Sequence, residues 1–208
     1  MTESFPSFSR RSAIAGAGAL LLSGCSVLKG PPIPQLYLLR PQFPSSTGPQ
    51  VSWRLSIAAP DAVASLDTPR IALTRSPTTM DYFANAAWTD RVPLLLQRQL
   101  IEAFDASGRI VSVDRDTSGL EADYLLQTEI REFQARYDAP NGPPQIVISI
   151  QAKLARMPQR QIATSINVTQ KVPATANNLD SIVAAFNQAV GAAIGQVVAG
   201  TLAMTAPA

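Results

Sequence analysis

One thiol and no imidazole set the limits on the chemistry of this chain. Across 208 residues there is a single cysteine, Cys25, and no histidine. The common ligands of zinc, copper and haem are therefore missing as a set, and so is the usual general base of nucleophilic catalysis. The carboxylates do not replace them. Asp61, Asp67, Asp81 and Asp90 show no spacing that would pair an acid with a base, and no glycine-rich loop cradles a phosphate. The sequence thus predicts no catalytic residue, no metal site and no cofactor. The triplet Asn167-Val168-Thr169 has the form of a glycosylation sequon. In a chain that reads as bacterial it carries little meaning.

Cys25 has a chemistry of its own. It follows Leu22 and the small residues Ser23 and Gly24, which let the chain enter an intramembrane protease, and the four residues resemble a bacterial lipobox. In that motif the sulfur receives a diacylglycerol and signal peptidase cuts before the cysteine, leaving it as the first mature residue. A small buried thiol is the plain alternative. It needs a folded surrounding, whereas "SVLKGPPIPQ" reads as a tether. A single cysteine also forms no intramolecular bridge.

What precedes the cysteine has the layout of a secretory leader: Arg10 and Arg11, then an apolar run from Ala13 to Leu22, then small residues. That run is about half the ~20 helical residues needed to span a bilayer. Ser9-Arg10-Arg11-Ser12 resembles a twin-arginine signal, although Ala13 stands where that motif favours a large apolar residue. An arginine pair is equally at home in ordinary leaders, so export by the Sec or the twin-arginine route stays open. Ser26, rather than Asp, follows the cysteine. Under the sorting rule of enteric bacteria this directs the lipoprotein to the outer membrane, facing the periplasm. One acyl chain binds a membrane marginally, and the three of a mature lipoprotein hold firmly.

The expected organisation is a signal peptide over residues 1–24, an acylated tether over 25–35 and a single domain over 36–208. Pro31, Pro32 and Pro34 favour extended backbone in the tether. With 17 basic against 15 acidic residues, the chain offers no strong field for nucleic acid. No nucleic-acid partner is expected.

The domain reads as alternating elements. "LYLLRP", "WRLSIAAP" and "PRIALTR" are short strands, the last ending near Arg75. A helix is expected from Thr89 or Asp90, with Val92, Leu95, Leu96, Leu100, Ala103 and Phe104 on one face and Gly108 as its stop. "RIVSVDR" is another strand. "ADYLLQTEIREFQARYD", "QIVISIQAKLAR" and "RQIATSINVTQKV" are three long antiparallel strands, with a bulge near Glu132 to bring Phe133 to the face of Tyr124, Leu126 and Ile130. A final helix, capped by Asn177 or Asn178, repeats Leu179, Ile182, Val183, Phe186, Val190, Ile194, Val197, Val198 and Leu202 at three-and-four spacing. Asn187, Gln188 and Gln196 interrupt it, which makes it a buried helix face rather than a membrane span. The fold class is α+β: a mostly antiparallel sheet covered on one face by two main helices, a two-layer sandwich.

Taken together, the lipobox, the "YLL" strand, the arginine-ended "IALTR" (Arg75), Tyr82, and Trp88 at the head of "AAWTDRVPLLLQRQL" resemble the ABC-type transport auxiliary lipoprotein family over roughly residues 36 to 200. The resemblance implies an accessory lipoprotein that accompanies mammalian-cell-entry (MCE) domain proteins in moving phospholipid across the Gram-negative envelope. Energy would come from a partner ATPase. It also implies membrane attachment through acylated Cys25 and a possible homo-oligomer, and it carries over no catalytic residue. Arg75, Tyr82 and Trp88 are the candidate contacts with partner or lipid, each with a plainer reading: an ion-paired strand end for Arg75, and packing for Tyr82 and Trp88. An alternative from a different class is a structural or regulatory lipoprotein of a secretion, cell-wall or lipopolysaccharide assembly machine.

Overall fold

In the computed structural model, residues 33–43, 47–139 and 141–204 are described. The strands are β1 (Gln35–Tyr37), β2 (Arg54–Ile57), β3 (Asp61–Ala62), β4 (Arg70–Ser76), β5 (Thr79–Trp88), β6 (Ser112–Arg115), β7 (Tyr124–Arg136), β8 (Gln145–Arg156) and β9 (Gln161–Pro173). The helices α1 (Val92–Ser107) and α2 (Leu179–Leu202) fall between β5 and β6 and after β9.

All nine strands join one sheet with β7 at its centre. One edge of β7 runs antiparallel to β8 from Tyr124↔Arg156 to Arg136↔Gln145, and β8 passes the ladder on to β9. The other edge is shared in succession by β2, β3 and β4, all parallel to β7. Beyond β2 lies β6, and beyond β4 lie β5 and then β1. The α+β sandwich is as expected, but the sheet is mixed: five of its eight strand pairings are parallel. Hairpins can be read from adjacent runs and their turns, and they are the antiparallel part. The parallel pairs join strands far apart in sequence, where no local turn signals the partner.

The bulge falls where the side-chain pattern requires one. Register shifts between Ile130 and Glu132, so that Arg131 is the extra residue. Upstream of it Tyr124, Leu126 and Ile130 are buried; downstream, Phe133 and Ala135 take their place. Since side chains alternate with period two, one inserted residue is what keeps both halves of β7 turned to the same core.

α1 carries Pro93 in its first turn, where the missing N–H costs nothing, and ends at Gly108 in the left-handed region, φ 62°. Its N-cap is Arg91, whose side chain caps nothing, rather than Thr89 or Asp90. The displacement follows from β5, which continues through Trp88. α2 is capped by Asn178, whose side chain accepts from the Ser181 N–H at 2.9 Å. Asn177 instead accepts from the Tyr137 hydroxyl at 2.8 Å. α2 packs on β8 and β9, while α1 packs on β2 and β6 and against α2. With 24 residues and a mean hydropathy of 1.6, α2 is long and apolar enough to cross a membrane. Its apolar side is the one set against the sheet, with Phe186, Ala189, Val190, Ala193, Ile194 and Val197 fully buried.

Between β1 and β2 the chain crosses α2 as a strap. Leu39 and Pro41 are buried, and the Arg40 N–H donates to Asn187 Oδ1 at 2.7 Å. One turn further along the helix, Gly191 lies beneath the carbonyl of Gln42, so close that a Cβ there would come under 3.0 Å from its oxygen. Asn187, an interruption in the apolar pattern of the sequence, is thus the helix's polar contact with the strap.

Candidate functional site

Leu22, Ser23, Gly24, Cys25 and Ser26 lie outside the described residues. What the structure does show is where the chain emerging from that region enters the domain. β1 pairs in parallel with the end of β5 through Gln35↔Ala86, Leu36↔Ala87 and Tyr37↔Trp88, and the strap follows.

Arg75, Tyr82 and Trp88 all belong to the β4–β5 hairpin, but the hairpin holds them apart. Arg75 stands near its turn, Tyr82 pairs with Ala72 in mid-strand, and Trp88 is at the far end. At about 3.3 Å per residue, Tyr82 and Trp88 are separated by up to roughly 20 Å. The β4–β5 ladder also shifts register between them: Arg70 pairs with Ala87 and Ala72 with Tyr82, so residues 83–86 stand opposite Ile71 alone, with Asn85 at φ 54°. Asparagine tolerates that left-handed conformation better than most residues.

Trp88 is a core residue, 1% exposed. Its ring meets Phe186 of α2 edge-on at 5.2 Å and Phe133 of β7 at 6.2 Å, and those two phenyl rings stack at 5.3 Å. Its backbone N–H donates to the Pro69 carbonyl at 2.7 Å. The indole therefore ties hairpin, central strand and helix into one cluster and offers no surface to a partner. Its Nε1–H has no acceptor among the described residues.

Tyr82 is half-buried. The Arg70 guanidinium lies 3.7 Å from the centre of its ring, and its hydroxyl donates to the Ser65 carbonyl at 2.9 Å. Both faces of its chemistry are thus engaged within the domain. Arg75 is the exposed member, with 56% of its side chain accessible. It sits 3.8 Å from an Asp81 carboxylate oxygen and 5.3 Å from the centre of the Tyr137 ring. An ion pair this open contributes at most about 1 kcal/mol and gives way readily to another anion. Arg75, Tyr137 and Arg136 line an open cleft of about 540 Å³, which Glu132 and Asp138 also border. Burial raises the Tyr137 hydroxyl above its ordinary pKa, against the opposing pull of Arg75. The phenol there remains a neutral donor, held by Asn177.

A family model described as the ABC-type transport auxiliary lipoprotein component matches residues 37–198. The chain belongs to this family. The match starts at β1 and ends inside α2, so it takes in the hairpin, the central strand and the helix that Trp88 connects. An uncharacterised protein of Bradyrhizobium diazoefficiens, bll6063, is 32% identical over 155 residues, covering 70% of this chain and 39% of that protein. This chain therefore spans well under half of that relative's length. Among solved structures, protein XCC0632 of Xanthomonas campestris, of the domain family DUF330, superposes with a TM-score of 0.76 at 28% identity, covering 81% of this chain and 95% of that one. Another uncharacterised protein reaches 0.63 at 17% identity, covering 81% and 99%, and shows a shared fold only. The family's description is that of an auxiliary lipoprotein of ABC-type transport.

Sequence reasoning missed three polar ties. The Arg54 backbone N–H and Nε both donate to Asp123 Oδ2, at 2.8 and 3.1 Å, and this fork holds the Asp123 carboxyl below its ordinary range. Arg91 forks onto Asp67, linking the start of α1 to the loop before β4. The third is Asn187 on the strap. Each pair is far apart in sequence, and only the asparagine and glycine departures in the pattern of α2 signalled anything in advance.

Proposed function

We propose that this chain is a periplasmic lipoprotein anchored to the outer membrane through acylated Cys25, serving as the auxiliary subunit of an MCE-type ABC system that moves phospholipid across the Gram-negative envelope. The observation that carries the reading is the order of parts: Leu22-Ser23-Gly24-Cys25 stands a dozen residues before the segment that matches the auxiliary-lipoprotein family. Ser26 supports outer-membrane sorting. A family role in transport and a site whose side chains bind and pack, rather than react, support an accessory part over an enzyme. Work on the transported lipid falls to the partner permease and ATPase, and this subunit contributes position.

Within that role Arg75 is the residue that meets a partner carboxylate or a phospholipid head. Asp81 is its resting counter-ion, Tyr82 and Trp88 fix the hairpin that presents it, and more than one copy can line up on an oligomeric MCE assembly. The intact lipoprotein is to be purified from membranes under mild extraction and its companions identified by mass spectrometry. An MCE protein, a permease and an ATPase are expected. Secretion, cell-wall or lipopolysaccharide-assembly proteins in their place would transfer the chain to a different envelope machine. Cys25→Ala is expected to leave an unprocessed precursor without acyl label, and normal labelling of that variant would remove the anchor.

A further inference from the structure

The first strand leaves an apolar surface uncovered at the place where the tether arrives. In β1 and the strap, Tyr37 and Leu39 turn inward onto the core. By strand alternation Leu36 and Leu38 then turn outward, and they are 60% and 48% exposed. Leu38 borders an open cleft with Arg40 and with Arg98 of α1. One turn before Arg98 on the same helix face is Leu94, itself 36% exposed. Leu38, Arg40 and Arg98 thus share one cleft, with Leu36 two residues before Leu38 on the chain and Leu94 one turn before Arg98 on α1. Among the described residues neither Arg40 nor Arg98 forms an ion pair. Glu102 is the acidic residue of that cleft. Among the described residues the other large exposed apolar side chains are Ile33, just ahead of β1, and Val63, Val111, Leu120 and Ile162 on other loops and strands.

We infer that Leu36, Leu38 and Leu94, with Arg40 and Arg98, rest on the headgroup region of the phospholipid bilayer, so that the domain lies against the membrane instead of hanging free. The inference rests on the proposed acylation of Cys25. Two observations favour a bilayer over a protein cover. The first is reach. Leu36 is only eleven positions after Cys25, and even a fully extended chain covers no more than about 40 Å over that length. Held so near, the surface meets lipid at an effective concentration in roughly the millimolar range, so a contact too weak to bind from solution suffices. The second is composition. Leucines flanked by arginines are the arrangement of an interfacial contact, in which apolar side chains enter the acyl boundary and cations meet anionic heads. Each arginine near an anionic surface adds about five-fold to the partition. Lys29 places a further cation on the tether.

The test uses the mature acylated protein reconstituted in phosphatidylethanolamine and phosphatidylglycerol vesicles. With the sulfur of Cys25 acylated, Leu36→Cys, Leu38→Cys and Leu94→Cys each offer one thiol for an environment-sensitive fluorophore. Ile162→Cys on β9 is the control. A nitroxide carried on the lipid headgroup is expected to quench the three test positions several-fold more than the control. Adding Arg40→Gln and Arg98→Gln should bring that quenching down toward the control value. Protein that floats with the vesicles but shows equal, weak quenching at all four positions overturns the membrane contact and leaves the anchor standing. A label that is shielded without being quenched identifies a protein cover, and it too overturns the contact while sparing the anchor. Failure to float at all removes both the anchor and the contact.

Discussion

Gly191→Ala makes the sharpest test of how the domain is closed. In an open helix interior, replacing glycine with alanine stabilises by about 1 kcal/mol. Here the new methyl would come under 3.0 Å from the Gln42 carbonyl oxygen, 3.4 Å from its carbon and 3.5 Å from Pro41 Cβ. The nearest obstacle is backbone and cannot rotate aside, so the strap must lift. Lifting exposes Leu39, now 3% accessible, and stretches the Arg40 N–H bond to Asn187. Losing half of a leucine's burial costs about 1–1.5 kcal/mol and the hydrogen bond about 1 kcal/mol. Adding overpacking strain of about 1–3 kcal/mol and subtracting the helix gain leaves a net loss of about 2–4.5 kcal/mol. For a domain of this size that lowers Tm by roughly 4–18 °C. Gly200→Ala is the matched control: its methyl would meet Ile166 Cδ1 at 2.9 Å, the far end of a side chain that can turn. Urea unfolding of both variants decides the matter. Should Gly191→Ala raise the midpoint as Gly200→Ala does, the strap does not grip the helix, and the reasoning is refuted.

Other outcomes follow from the site. Trp88→Ala should cost about 3–5 kcal/mol through the cavity it opens between Phe133 and Phe186, read as loss of the near-ultraviolet circular dichroism and a lower urea midpoint. Trp88→Phe should cost less than half as much, because the indole Nε1–H has no acceptor to lose; equal damage from both would place a hydrogen bond there. Asp123 has its pKa depressed in the folded state, first by the Arg54 side chain. Its contribution is therefore present above the ordinary aspartate pKa and fades as pH falls through the lower folded value. Arg54→Gln should flatten the acid limb of the stability profile, modestly because both side chains are over two-fifths exposed. An unchanged acid limb would show that the fork is idle. Arg75→Ala should leave stability within about 0.5 kcal/mol of the parent while lowering co-purification of the transporter, and full retention of partners would take Arg75 out of the contact.

How much of this could be read beforehand differs between the elements. The three long strands were plain because each alternates over a dozen residues, and Phe133, falling out of step with Ile130, located the bulge. α2 was plain from its spacing. β5 was not: "TMDYFANAAW" shows no clean alternation, since residues 83–86 stand opposite Ile71 alone on β4 and reset the parity before Trp88. The apolar start of α1 then drew its expected beginning back to Thr89. The parallel order around β7 was hidden for another reason, as three short strands share one edge of a long one and no local signal says which comes first. Among the candidate contacts, residue type alone could not separate Arg75 from Trp88. Exposure separates them, and it depends on the partners Phe133 and Phe186, 45 and 98 positions away from Trp88.

The strap over Gly191 also decides how the domain carries load. Any pull on the segment ahead of the domain enters the fold at Gln35, and the first thing it meets is a ladder of only three residue pairs with β5. Such a short ladder is a weak fastening. Behind it the Gln42 carbonyl is seated over a position on the helix that lacks a side chain, one turn from Asn187, and acts as a latch. Tension must part Tyr37 from Trp88 and then raise that latch to go further. Residues 35–43 therefore form a reserve of slack: once peeled, they lengthen the leash by roughly 30 Å at about 3.3 Å per residue, while the sandwich behind them stays folded.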